Sequence, residues 1–286
     1  MSFPETVLLG AIAGFTIYLG LPIGRIRQVD DRLRVSLAMF SVGILAFIFM
    51  DVTSNAQSIV VRALDGYKAG TASFSHVLGL FLLLALGFMA GTAGISALER
   101  RIRPRPALAP VGGGEAGVEL EATQLARYAA EADTARRRAM QTSMTIAVAI
   151  GLHNFAEGLA IGVSAKTGAV GLATVLIIGF GLHNATEGFG IVGPLGGVRP
   201  SWAWLGLAGL IGGGPTFIGT IVGYQVDSEP LELLFYALAG GAILYVVGEI
   251  WMGMRRYGYK QLGLCLLAAG FLVGVATDLI VSYGGG

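Results

Sequence analysis

The chain has 286 residues, of which 54% are hydrophobic and only 13% charged, with a mean hydropathy of +0.72. Because an ordinary soluble domain carries about 25% charged residues, this composition excludes that class and indicates a membrane protein. The formal net charge of +1 says nothing about partners, and the single cysteine, Cys265, excludes an internal disulfide and a cysteine-based metal site.

Eight apolar segments each approach the ~20 residues that a helix needs to cross a bilayer. They are predicted at 5–24, 35–54, 74–98, 140–163, 168–193, 202–224, 231–254 and 261–283. Their length and the lack of a period-two alternation favour helices. The first segment is followed at once by Arg25 and Arg27, which predicts a retained span rather than a cleaved signal peptide. We therefore expect an all-α polytopic membrane protein with eight transmembrane helices.

The lysines and arginines predict how these spans are oriented. If the N-terminus is outside, 16 of the 19 basic residues fall on the cytoplasmic side, and only Arg62, Lys68 and Lys166 remain outside. Cytoplasmic loops carry such an excess of positive residues. Both termini are therefore predicted outside, with the protein in the plasma (inner) membrane of the cell.

The segment 99–139 is the only long stretch that is not apolar. It separates the first three spans (1–98) from the last five (140–286), within one integral membrane domain. Its first half, rich in Arg, Pro and Gly, is predicted to be a flexible cytoplasmic linker, and its second half a helix that extends the fourth span. Because basic residues are not interleaved with aromatic ones here, they predict a topology determinant and no nucleic-acid site.

Two nearly identical octapeptides lie in the middle of the fourth and fifth spans: GLHNFAEG at 151–158 and GLHNATEG at 181–188. Their His and Glu residues are four apart, which places imidazole and carboxylate one turn apart on one helix face. At bilayer depth such residues usually face a partner, an ion or a water-filled path. The two pairs are therefore predicted to converge on one cation: His153, Glu157, His183 and Glu187.

The residue types indicate which class of ion this site takes. Imidazole nitrogen and carboxylate oxygen suit zinc and other first-row divalent ions, and zinc is the first expectation. Iron, manganese, cobalt and cadmium accept the same ligands, and the sequence does not choose among these metals. Asn154 and Asn184 lie about 100° round each helix from the preceding His. The sequence leaves open whether their amides bind the ion or hydrogen-bond neighbouring helices.

These motifs resemble those of the ZIP (Zrt/Irt-like) family of divalent-metal transporters, which carry HNxPEG on the fourth span and (H/Q)xxPEG on the fifth. The resemblance extends to eight spans, outside termini and a variable cytoplasmic loop after the third span. It implies a ZIP-like bundle with the metal site at the centre of the transport path, formed by the His and Glu residues of the two octapeptides with Asn154 and Asn184 beside them.

The chain departs from the family pattern at several positions. Ala156 and Thr186 replace the motif prolines, which implies straighter helices because proline frees a carbonyl and kinks a helix. Asn184 replaces an acidic residue, and Gly214 precedes Pro215 where the family often has Glu-Pro. These last two changes weaken a second metal site, so one strong site is expected.

Two further acidic residues are candidates for the pathway. By resemblance Asp51 lies at a pathway-facing position near the outer face; the alternative is a helix-end residue bonded to Thr53 or Ser54. Glu249 lies where the family has a His-Glu motif at the cytoplasmic exit. His76, at the outer end of the third span, is expected at the interface rather than in the site.

The sequence therefore predicts a secondary transporter that moves divalent transition-metal ions into the cytoplasm. The nucleotide-binding pattern GxxxxGK with a following Ser or Thr is absent, so transport is expected to use gradients. A non-transporting membrane metal sensor or receptor remains an alternative. An intramembrane metallohydrolase is a weaker one, because HxxxE is not the HExxH signature. The partners are the metal ion and the bilayer; a monomer and a homodimer are both open.

Overall fold

In a computed structural model of the chain, residues 1–26, 30–102, 118–166, 170–225 and 228–283 are described, and all their regular structure is helical. The first span is made of α1 (Phe3–Phe15), α2 (Ile17–Gly20) and a 3-10 turn (Leu21–Arg25). The other long helices are α3 (Asp31–Lys68), α4 (Phe74–Ile102), α5 (Val118–Lys166), α6 (Val170–Val192), α7 (Trp202–Gln225), α8 (Glu229–Met254) and α9 (Lys260–Tyr283).

Length and hydropathy make the chain a multi-pass membrane protein. Seven helical stretches of the described residues are long and apolar enough to cross a bilayer. The helix α6, with 23 residues, occupies the remaining predicted segment. The prediction of an all-α polytopic membrane protein is confirmed.

Two helices extend well beyond their apolar segments. The helix α3 has 38 residues instead of the predicted 20, because Asp30 caps its start by accepting from the backbone N–H of Leu33 (2.7 Å) and because one face of its second half is buried. Ile59 and Ala63 in that half pack against α4 and α8. The helix α5 begins at Val118, as expected for the helix-forming half of the segment 99–139; residues 103–117 lie outside the described residues.

The long helices pack as two bundles. In the first, α5 packs along α7, and α1 packs against α6 and α7; we call α1, α2, α5, α6 and α7 the motif bundle. In the second, α3 packs against α8 and α9, and α4 packs against α8; we call α3, α4, α8 and α9 the support bundle. The octapeptides therefore lie in the motif bundle.

Helix backbones approach very closely within each bundle. A Cβ atom on Gly158 of α5 would lie 2.2 Å from the Thr216 carbonyl oxygen of α7, and one on Gly43 of α3 would lie 2.0 Å from the Leu267 carbonyl oxygen of α9. Only glycine permits such contacts. Between the bundles, α5 meets α8 through side chains, with the ring centroids of Phe155 and Phe235 4.2 Å apart.

Candidate metal centre

The centre of α5 and α6 carries polar side chains that are almost inaccessible. The exposed fraction is 3% for His153, 5% for Glu157 and 2% for Glu187, and both motif asparagines are fully buried. The backbone of His183 lies in α6, one turn before Glu187; its side chain lies outside the described residues. The described polar side chains of both octapeptides thus lie inside the protein instead of facing lipid.

The imidazole of His153 stands close to one carboxylate from each octapeptide. Its Nε2 atom lies 3.0 Å from Oε1 of Glu157, on its own helix, and 3.8 Å from Oε1 of Glu187 on α6. The structure therefore brings these three predicted residues together. Among the described side chains, however, no set of three or more His, Cys, Asp or Glu has the arrangement of a formed metal site. The three residues approach pairwise.

The two motif asparagines, although equivalent in sequence, make different contacts. The Nδ2 group of Asn154 donates to Oε2 of Glu187 (3.1 Å) and to the Gly212 carbonyl of α7 (2.9 Å). The Nδ2 group of Asn184 donates to the Ala13 carbonyl of α1 (3.0 Å). Asn154 therefore orients a carboxylate of the site, whereas Asn184 holds α6 against α1.

Several buried polar atoms of this cluster lack a hydrogen-bond partner among the described residues. They are both ring nitrogens of His153, Oε2 of Glu157, Oε1 of Glu187 and the Oδ1 atoms of Asn154 and Asn184. The 3.0 Å approach of Nε2 to Glu157 does not have the geometry of a hydrogen bond. Buried polar groups are normally paired, since leaving one unpaired costs about 1–3 kcal/mol. A divalent cation would satisfy imidazole nitrogen and carboxylate oxygen together. The chemistry of the unpaired set therefore fits a transition-metal ion.

The support bundle brings further acid towards this cluster. Asp51 of α3 is partly buried and lies within electrostatic range of His153, of Glu157 and of Asp278 on α9. Its Oδ1 accepts from Asn55 (3.2 Å) and not from Thr53 or Ser54, so that predicted helix-end pairing is wrong. Sequence reasoning did not pair Asp278 with Asp51, since no local spacing relates residues on α3 and α9.

The remaining candidates lie towards the helix ends. Glu249 is partly buried, five residues before the end of α8, and has an interaction partner. His76 of α4 is exposed, with Nε2 3.6 Å from Oε2 of Glu229 on α8. Neither α5 nor α6 is interrupted at Ala156 or Thr186, whereas α7 contains Pro215 within the helix.

Known proteins with similar sequences are described as zinc transporters. The family described as "ZIP Zinc transporter" matches residues 116–248, a range that contains both octapeptides. The chain is 30% identical over 291 residues to "Zinc transporter ZupT" of Clostridium perfringens (strain 13 / Type A), covering 96% of this chain and 94% of that protein. It is 26% identical over 285 residues to "Zinc transporter ZupT" of Streptococcus mutans serotype c (strain ATCC 700610 / UA159), covering 96% of each. With similarity over nearly its whole length to proteins named as transporters rather than enzymes, the chain belongs to the ZIP family of divalent-metal transporters.

Proposed function

We propose that this protein moves divalent transition-metal ions, zinc foremost, across the membrane into the cytoplasm. The substrate ion binds between α5 and α6, at the set His153, Glu157, His183 and Glu187. One observation carries the proposal: the Nε2 atom of His153 lies 3.0 and 3.8 Å from carboxylates of the two octapeptides, in a buried cluster with unpaired acceptors. The relatives named as zinc transporters support zinc as the first substrate.

Each residue of the cluster has its own role in this proposal. Glu157 and Glu187 supply two negative charges, and neutral His153 and His183 supply nitrogen ligands. Asn154 fixes the orientation of Glu187 through its amide, as outer-shell hydrogen bonds do for ligating side chains. Asn184 anchors α6 to α1 through its amide nitrogen and acts in helix packing rather than as a ligand of the ion.

Acidic residues of the support bundle form the rest of the route. Asp51 and Asp278 attract the cation on the outer side, because two carboxylates that lie within electrostatic range of each other concentrate negative charge there. Asp51 also lies within electrostatic range of His153, which connects this entrance to the central site. Glu249 receives the ion at the inner end of α8. The route therefore runs along the boundary between the two bundles, with the central site on the motif bundle.

The motif bundle moves against the support bundle during transport. Backbone contacts such as that between Gly158 and Thr216 hold each bundle together, whereas Phe155 and Phe235 meet across the boundary through their rings. Sliding at side-chain contacts costs less than separating backbones that lie in van der Waals contact. Such a displacement exposes the ion to one side at a time.

The distribution of positive charge sets the orientation of the protein in the membrane. With 16 of 19 Lys and Arg on one side, the segment 99–139 faces the cytoplasm and both termini face outward. The protein then lies in the plasma membrane as one integral domain. Net movement inward follows if the ion gradient and the membrane potential both favour it, since the interior is negative.

Uptake into proteoliposomes tests the proposal. Purified protein would be reconstituted with a metal-sensitive dye inside, and zinc, iron, manganese, cobalt and cadmium added outside in competition. We expect saturable uptake with zinc preferred, abolished in His153→Ala and Glu187→Ala. The exposed His76→Ala serves as the matched control and should transport normally. Tight binding without uptake would refute transport and favour a sensor, and uptake by His153→Ala would refute the site.

A further inference from the structure

A groove opens where the end of α8 turns into α9 and both pack on the start of α3. Its volume is about 430 Å³, within the roughly 300–1,000 Å³ typical of small-ligand sites. The turn bends sharply because Gly258 has a φ of +78°, a left-handed conformation that favours glycine. This turn places Arg255 and Lys260, five residues apart, on the lining of the same groove.

The floor and the rim of the groove differ in chemistry. The floor is apolar and buried, with exposed fractions of 3% for Val35, 2% for Met39 and 8% for Met254. The rim carries the exposed cations Arg255 and Lys260. Within the described part of the chain, no acidic side chain lines the groove and neither cation forms an ion pair. The groove therefore offers uncompensated positive charge above an apolar surface.

The combination of two rim cations with an apolar floor determines which kind of ligand fits the groove. A metal ion is excluded because the two cations repel it, and a wholly apolar molecule leaves both cations unused. A soluble anion such as phosphate gains nothing from the floor, where Val35, Met39 and Met254 offer it no hydrogen bond. An amphiphile with a negative head and an apolar chain matches both parts.

The position of the groove agrees with such an occupant. Trp251, on its lining, is partly buried near the end of α8, where tryptophan typically marks the membrane–water interface. Leu264 of α9 is 43% exposed on the same lining, so the groove is continuous with the lipid-facing surface. Basic pockets between transmembrane helices at this depth bind anionic lipid head groups.

We propose that the groove between α3, α8 and α9 is a binding site for an anionic phospholipid, with the phosphate at Arg255 and Lys260 and the acyl chain over Met39 and Met254. The lipid binds the support bundle, away from the metal cluster. Each cation near a membrane surface is worth roughly a fivefold preference for anionic lipid. We expect a preference of about 30-fold over a zwitterionic phospholipid when both act together.

Fluorescence of Trp251 tests this directly. The chain has three tryptophans, so Trp202→Phe with Trp204→Phe leaves Trp251 alone, and a phenyl ring keeps the stacking of Arg25 on residue 202. This variant would be reconstituted in vesicles of phosphatidylglycerol and phosphatidylcholine, with bromine on the acyl chains of one lipid at a time. Stronger quenching by brominated phosphatidylglycerol, well above its bulk fraction, is expected; equal quenching by both lipids would overturn the proposal.

Substitutions of the two rim cations test whether the preference for phosphatidylglycerol arises in the groove. In the same background, Arg255→Gln with Lys260→Gln should abolish the preference, and Arg255→Lys with Lys260→Arg should retain it. The control pair, Arg62→Gln with Lys68→Gln, removes two exposed cations from the far end of α3 and should leave it unchanged. Loss of the preference in the control alone would overturn the site.

Two further measurements test whether the result depends on the tryptophan substitutions and whether the groove binds a free phosphate instead of a lipid. Native mass spectrometry of the wild-type chain should show a retained phosphatidylglycerol that the Arg255→Gln, Lys260→Gln variant lacks, which does not depend on the tryptophan background. Soluble glycerol phosphate at millimolar concentration should not relieve quenching by brominated phosphatidylglycerol. Relief would assign the cations to a free phosphate and overturn the lipid site.

Discussion

Replacing each motif asparagine by alanine separates metal binding from packing. Asn154 and Asn184 occupy the same position in the two octapeptides, both are fully buried, and each donates to one backbone carbonyl of a neighbouring helix. Only Asn154 also donates to a carboxylate of the proposed site, Oε2 of Glu187 at 3.1 Å. The pair is therefore a matched test of what that one hydrogen bond does.

The expected magnitudes follow from these contacts. A hydrogen bond to a charged group contributes about 1.5–3 kcal/mol, and loss of an outer-shell partner typically weakens metal affinity by about 10–100-fold, which is roughly 1.4–2.7 kcal/mol. These ranges overlap, so Asn154→Ala should raise the zinc Kd by about 10–100-fold. Asn184→Ala should change it by less than about threefold, since the Ala13 carbonyl is not part of the site. Both should lower the melting temperature, because each removes a buried hydrogen bond between two helices.

Calorimetric zinc titration of the purified variants in detergent, with a thermal melt of each, measures both effects. A double-mutant cycle with Glu187→Gln should show that Asn154→Ala costs little further affinity once the carboxylate is gone. Equal loss of zinc affinity in Asn154→Ala and Asn184→Ala, or wild-type affinity in Asn154→Ala, would refute the reasoning that Asn154 acts by holding Glu187.

Three further predictions concern topology, packing and pH. In a Cys265→Ser background, Gly113→Cys should resist an impermeant thiol reagent in intact cells and Gly285→Cys should react; the reverse pattern would overturn the orientation and inward transport. Gly158→Ala should greatly lower the yield of folded protein, because its Cβ would lie 2.2 Å from the Thr216 carbonyl oxygen, whereas Gly79→Ala, with open space around it, should be neutral by gel filtration. Zinc binding should weaken as pH falls from about 7.5 to 5.5, since histidine must lose its proton to bind a metal and ordinarily titrates near 6.5. Calorimetry in buffers of different ionisation enthalpy counts the protons released on binding. An affinity that is flat across this pH range, with no proton released, would exclude histidine ligands.

Hydropathy predicted the spans well and the helix ends poorly, for a physical reason. The predicted end of the second span at residue 54 marks where the apolar run stops, whereas α3 continues to Lys68. The continuation depends on Ile59 and Ala63 being buried against α4 and α8, a tertiary contact that no local window contains. By contrast, the helical start of α5 at Val118 lies in a sequence of strong helix formers and was predictable from propensity.

Some contacts of the site were likewise predictable from local sequence spacing, and others depend on tertiary packing. The approach of His153 to Glu157 follows from an i, i+4 spacing, and the repeat of the octapeptide predicted the meeting with Glu187. The different partners of Asn154 and Asn184 were left open by sequence, because they are set by which helix backbone, α7 or α1, lies alongside. The electrostatic interaction of Asp278 with Asp51 is between α9 and α3, and no periodic pattern in the sequence predicts it.

The charge of the cluster predicts that it binds a single divalent ion. The helix α7 contains no acidic residue, and at its Gly212 it offers a carbonyl to Asn154 instead of a carboxylate to a metal. With Asn184 neutral as well, Glu157 and Glu187 are the carboxylates of the two octapeptides. One divalent cation balances these two carboxylates, and a balanced set costs far less than a charged one at bilayer depth. A second divalent ion would need carboxylates from outside the octapeptides, and the acids that lie towards the cluster, Asp51 and Asp278, belong to the support bundle. The replacements at Asn184 and Gly214 therefore favour transport of one ion at a time, and zinc titration should give one ion per chain, whereas two tight ions would contradict this charge balance.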